Sequence, residues 1–128
     1  MHRHQVGTYQ TVQTTTADPA RVIILLFDGA VRFLRQAQDG LDRAEASAFA
    51  YPLSRAHAII AELSNSLDRE RGGELAESLG RLYDFMLRHL TQGLIARSRA
   101  HVVQVLDLLQ QLRDGFEGAA QATRHEPA

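Results

Sequence analysis

Apolar residues recur along most of this chain at spacings of three and four, the period that sets them on one side of an α-helix. Ile23, Ala30, Leu34 and Ala37 form one stripe, and Leu53, Ala56, Ile60, Leu63 and Leu67 form a second. Leu75, Leu79, Leu82, Met86 and Leu90 make a third, and Val102, Val105, Leu109, Leu112 and Phe116 a fourth. Start and stop signals frame them. Asp18-Pro19 predicts a helix start, because an Asp carboxylate accepts from free backbone N–H groups and proline at the first helical position forfeits no intrahelical bond. Helix one then runs from Pro19 to Arg43. Ser47 is the predicted N-cap of helix two, and Pro52 just inside it predicts an irregular first turn. Helix two ends before Gly72-Gly73, and Glu74 and Glu77 suit the positive end of helix three. Helix three finishes between Gly93 and Arg97, and Ser98 caps helix four. Residues 1–17 hold only Val6, Tyr9 and Val12 as bulky apolar groups and read as a flexible segment, while Thr123 to Ala128 read as a disordered, frayed tail.

Four helices of about twenty residues, joined by connections too short to carry the chain back along about 30 Å of rod, must alternate in direction. The expected fold class is all-α: an antiparallel up-down-up-down four-helix bundle over residues 18–122, preceded by the flexible segment. An aromatic content of 6% and the absence of tryptophan also argue against an aromatic-rich β-sandwich.

Composition narrows the chemistry. At 128 residues the chain has the length of one domain, and 14 basic against 15 acidic residues leave it without the positive surplus that draws proteins to nucleic acid. With no cysteine, disulfides, thiolate metal sites and cysteine nucleophiles are excluded. The longest apolar run, Val22 to Phe27, falls far short of the roughly 18 residues of a membrane span, and the polar N-terminus is no secretory signal. A cytoplasmic protein without membrane insertion is expected.

Helical bundles often hold di-iron sites built on Glu-x-x-His pairs. Here the residues three beyond Glu62, Glu70, Glu74 and Glu77 are Asn65, Gly73, Glu77 and Gly80, so none supplies the histidine. His57, His89 and His101 fall on three different helices with no ligand partner at the next turn, which predicts ordinary surface or half-buried histidines. No Gly-x-Ser-x-Gly elbow and no phosphate-loop lysine is present. The expectation is a protein without cofactor, metal or catalytic residues.

The breadth of apolar surface points elsewhere. On a helical wheel Ile24 and Val31 stand about 100° from the stripe of helix one and Leu25 lies nearly opposite it. Phe85 and Leu87 flank the stripe of helix three, and Val103 that of helix four. Two readings stand: imperfect stripes, or grooves that accept a partner's amphipathic helix. Gly29, Gly80, Gly93 and Gly115 leave the same choice, between close helix approach and room for a bound segment.

Particular residues carry a resemblance to a known family. Tyr9-Gln10, Asp18-Pro19 and the run Leu26-Phe27-Asp28-Gly29-Ala30-Val31-Arg32-Phe33-Leu34-Arg35-Gln36-Ala37 are followed by Glu62-Leu63 and Ser66-Leu67-Asp68. Gly72-Gly73-Glu74-Leu75-Ala76, Leu82-Tyr83-Asp84-Phe85-Met86, Leu108-Leu109 and Leu112-Arg113-Asp114-Gly115-Phe116-Glu117 come after them in order. Together these blocks resemble the FliS family of flagellar export chaperones over about 110 residues. Phe27 stands where the family usually has tyrosine and Phe116 where tryptophan is common, and Pro52 is unusual. The resemblance implies a cytoplasmic, non-catalytic four-helix bundle that binds the C-terminal segment of flagellin in surface grooves, prevents premature polymerisation and assists delivery to the flagellar export apparatus. Ile24, Leu25, Val31, Tyr83, Leu87 and Val103 are the expected groove residues, with Tyr9 and Val12 in a flap that covers one groove when the client is absent. The competing expectation is a structural or regulatory module that self-associates, as a weak homodimer, through the same faces.

Overall fold

A computed structural model describes residues 18–125, with side chains as far as residue 122. Its four helices are α1 (Pro19–Leu41), α2 (Ser47–Asn65), α3 (Arg69–Ala96) and α4 (Arg99–His125). Each helix packs on two others, α1 on α2 and α4, and α3 on α2 and α4, so the four close into a square. Cross-helix contacts fix the directions. Gly29 faces Ile59 and Gly40 faces Ala48 between α1 and α2. Asp28 binds Arg113 and Asp42 binds Arg99 between α1 and α4. Arg97 lies over the Phe49 ring between α3 and α2, and His89 meets both Gln104 and His101 between α3 and α4. The contact number rises along one helix as it falls along the other for α1 with α2 and with α4, for α2 with α3 (Phe49 beside Arg97, His57 beside Leu87), and for α3 with α4 (Gly93 beside Ser98, His89 beside Gln104), so neighbouring helices run antiparallel.

Much of the core lies on the predicted stripes, with Phe27 and Phe49 added to them, but on α3 the buried row is Ala76, Tyr83, Met86 and Leu90, while Leu75 is exposed and Leu79 and Leu82 are half-buried. Phe27, Leu34, Phe49, Leu53, Ile60, Met86, Leu90, Val102, Val105 and Leu109 are all buried, and no charged side chain is buried among the described residues. The wheel did not anticipate how wide the buried arc of α1 is. Ile24 and Val31, expected to face outward, are 1% and 8% exposed. The reason is that α1 has two neighbours: Val31 sits beside Gln110 and Arg113 of α4, and Ile24 lies one heptad earlier on the same edge.

Helix starts depart from the expected caps. Asp18 occupies the N-cap of α1, but its backbone carbonyl, not its carboxylate, accepts from Arg21 and Val22. Ser47 is already inside α2, whose cap is Ala46. Ser98 does cap α4, accepting from the His101 N–H at 3.3 Å. Pro52 does not break α2, which runs unbroken through it. Proline cannot donate to the carbonyl of Ala48, four residues back, and that carbonyl is the atom lying against Gly40, where a β-carbon would come within 1.9 Å. Helix three begins earlier than Glu74, with a turn at Arg69–Gly72 that Asp68 caps and that a non-helical Gly73 separates from the rest. Helix four continues to His125, into the stretch expected as a tail.

Candidate functional site

At the end of the square where α1 and α3 begin and α2 and α4 finish, the four apolar rows do not close on one another. Val22, Ile23 and Leu26 of α1, Leu63 of α2 and Leu67 just beyond it, Leu75, Leu79 and Tyr83 of α3, and Phe116 of α4 line a groove of about 670 Å³. Two of these rows, on α1 and α3, follow from helical spacing alone, since residues three or four apart lie one above another on a single face. The groove is open because the rods end there: Leu75, on the first full turn of α3, remains 69% exposed. Its rim is polar, with Ser66, Asp68 and Arg71. The Arg71–Asp68 pair at 3.7 Å is solvent-exposed on both sides and contributes little to stability.

Tyr83 forms part of the floor and is buried against the core cluster. Burial pushes its phenol up from the ordinary 10 to about 12, so the ring stays neutral in the groove at any physiological pH. Beside it the Phe27 and Phe116 rings meet at 5.4 Å, tying α4 to α1. One turn away from Phe116, Arg113 donates to Asp28 at 2.8 Å and also pairs with Glu117 and Asp114. The hydrogen bond to Asp28 leads the interactions that raise the Arg113 pKa.

Of the residues expected to bind a partner, the groove contains Tyr83 alone, as floor and not as an outward side chain. Ile24 and Val31 are sealed in the bundle. Leu25 is 44% exposed on the outer side of α1, away from the groove. Leu87 is half-buried and lines a separate shallow hollow with His57, Arg88, Thr91 and Gln92, and Val103 is half-buried on α4. Tyr9 and Val12 lie outside the described residues. The residues that sequence reasoning missed, Val22, Leu26, Leu67, Leu75 and Leu79 above all, belong to core stripes or their edges; the available signal was that two stripes run on to the ends of their helices, where no further turn covers them.

His57, His89 and His101 are half-buried, as expected, but two of them meet. His89 and His101 come together across α3 and α4 with their rings stacked at 4.2 Å, and Phe85 stacks on the other side of His89 at 4.9 Å. Their nitrogens are engaged, His89 Nε2 with Gln104 and His101 Nδ1 with Ser98 Oγ. The glycines divide as well. A β-carbon on Gly93 would meet His101 at 2.8 Å and one on Gly29 would just touch Ile59, whereas Gly115 faces open space.

Fold and groove together define the class: a small all-α four-helix bundle with an apolar groove open at one end. The family model described as "Flagellar protein FliS" matches residues 2–123. The chain belongs to the FliS family. It is 34% identical over 106 residues to the flagellar secretion chaperone FliSB of Pseudomonas aeruginosa, covering 83% of this chain and 84% of that protein. It is 30% identical over 118 residues to the flagellar secretion chaperone FliS of Bacillus subtilis, covering 92% and 87%. With the FliS of Salmonella typhimurium it shares 35% over 103 residues, 80% of this chain and 76% of that one. No helix among the described residues is long and apolar enough to cross a membrane.

Proposed function

We propose that this chain is a cytoplasmic flagellar secretion chaperone that receives the C-terminal segment of flagellin in the groove between the helix ends, keeps it from polymerising early and carries it to the export apparatus. The observation that carries the reading is the groove itself: aliphatic and aromatic side chains from all four helices around a 670 Å³ opening, with Leu75 held 69% exposed. A disordered client loses conformational entropy when it orders, and burial of apolar area at about 25 cal/mol/Å² is the term large enough to exceed that loss. No bond is made or broken. Residues 1–17 join α1 at Pro19, itself on the groove, so a flap carrying Tyr9 and Val12 is tethered where it would compete with a client. Such competition lowers the apparent affinity by the fraction of closed groove.

Calorimetry with a peptide of flagellin's C-terminal segment tests this reading. Leu67→Asp and Leu75→Asp should each weaken binding by roughly tenfold or more, since each places a charge in the apolar contact. Leu75→Asp should leave the melting temperature nearly unchanged, because the side chain is already mostly in water. Undiminished affinity in both variants rejects the groove. Loss of binding in Leu25→Asp instead moves the site to the outer face of α1, and a wild-type chain that sediments as a dimer and ignores the peptide favours the self-associating module.

A further inference from the structure

The first turn of α3 differs from the helix it leads into. Gly73 has φ 55° and ψ −132°, a backbone direction open to glycine and costly for any residue with a β-carbon. A β-carbon there would meet nothing within 4 Å, so the glycine answers to conformation and not to space. On its N-terminal side the turn closes on itself. Asp68 accepts from the Gly72 N–H through its carbonyl at 2.8 Å and from the Arg71 N–H through its carboxylate at 3.2 Å. Asp68, Arg71 and Gly72 form one wall of the groove.

A second contact holds this turn against the body of α3. The Arg69 guanidinium lies over Gly80, where an added β-carbon would come within 2.7 to 3.0 Å of its nitrogens and central carbon. In an unbroken helix residues 69 and 80 would be about 16 Å apart along the axis, beyond an arginine's reach. The contact exists because the break at Gly73 folds the turn back. Among the described residues no ion pair involves Arg69, so the guanidinium rests on Gly80 by packing, a contact that water can replace at small cost.

We propose that the turn Arg69–Gly72 is a hinged strap along the groove, pivoting at Gly73 and latched by Arg69 on Gly80, whose release widens the groove for an incoming segment. The proposal rests on the reading above only for what enters. A strap of this kind lets a groove that is partly walled in the free chain widen for a bulky client, and it draws on the low local stability of a single turn held by one cap and one side chain.

Hydrogen exchange on the free, full-length chain separates the two ideas. Gly80→Ala drives a methyl into the guanidinium, a flexible end that moves aside, and alanine favours the helix, so the melting temperature should hold or rise while the latch is lost. Arg69→Ala removes the latch from the other side. Both should speed exchange at the Arg71 and Gly72 amides by roughly fivefold and leave the core of α4 unchanged. Unchanged exchange at those amides in either variant overturns the strap. In stopped flow with the flagellin peptide both variants should associate faster than a binding-competent wild type, and an equal rate overturns the gating. A wild type that does not bind the peptide at all fails the chaperone reading, while the exchange result still decides the strap.

Discussion

Gly40 and Gly115 are both helical glycines with opposite consequences. A β-carbon on Gly40 would lie 1.9 Å from the Ala48 carbonyl oxygen, inside backbone that cannot yield, whereas one on Gly115 would meet nothing. Gly40→Ala should therefore cost more than about 3 kcal/mol or prevent folding. Gly115→Ala should stabilise by up to about 1 kcal/mol. Urea unfolding of the two variants checks the pair. Tyr83 carries a pH signature. Its phenol titrates near 12 when folded and near 10 when unfolded, so above pH 10 unfolding releases a proton. The stability tied to this group is intact below pH 10 and is lost as pH rises toward 12, amounting to about 2 to 3 kcal/mol. Tyr83→Phe should show a shallower alkaline decline than the parent chain in unfolding titrations at pH 9 to 11.5; parallel declines would contradict the burial. Caps illustrate what single residues disclose. Asp18, Ser47, Asp68 and Ser98 are chemically fit to cap, but only Asp68 and Ser98 do so with their side chains, because capping depends on how the chain approaches the helix as well as on residue type.

Between elements, the seam of α1 and α4 joins two of the blocks that carried the family resemblance. Phe27 meets Phe116 and Asp28 meets Arg113, so positions 85 or more residues apart in sequence are neighbours in space. A double-mutant cycle with Asp28→Asn and Arg113→Gln should show a favourable coupling in thermal unfolding that shrinks in molar salt, as expected for a partly exposed pair. Additive effects at all salt concentrations would contradict it. The four helices and their directions were legible from stripe spacing and short connections, since both follow from local periodicity. The burial of Ile24 and Val31 was not, because a wheel drawn for one helix cannot count how many neighbours it has. The early start of α3 escaped notice because Gly72-Gly73 reads as a terminator, whereas the chain bends at Gly73 and keeps a capped turn before it.

At the scale of the molecule, the groove arises from mismatched ends. Leu67, Leu75 and Leu79 continue the stripes that build the core, yet at the end of α2 and the start of α3 no helix among the described residues fully covers them. Their apolar character was plain in the sequence; their exposure was not, since it depends on where four rods stop relative to one another. Of the surplus apolar residues off the stripes, Ile24 and Val31 are buried and Leu25, Leu87 and Val103 lie outside the groove, whereas the larger opening lies on the stripes themselves. Membership of the FliS family and this opening together support the proposal that the groove is a binding surface. Methyl NMR of the full-length protein titrated with flagellin's C-terminal peptide tests that most directly. The account predicts that the methyl signals of Leu63, Leu67, Leu75 and Leu79 shift together and saturate with the peptide; saturable shifts confined to Leu25, Leu87 and Val103, with the groove leucines unmoved, would contradict it.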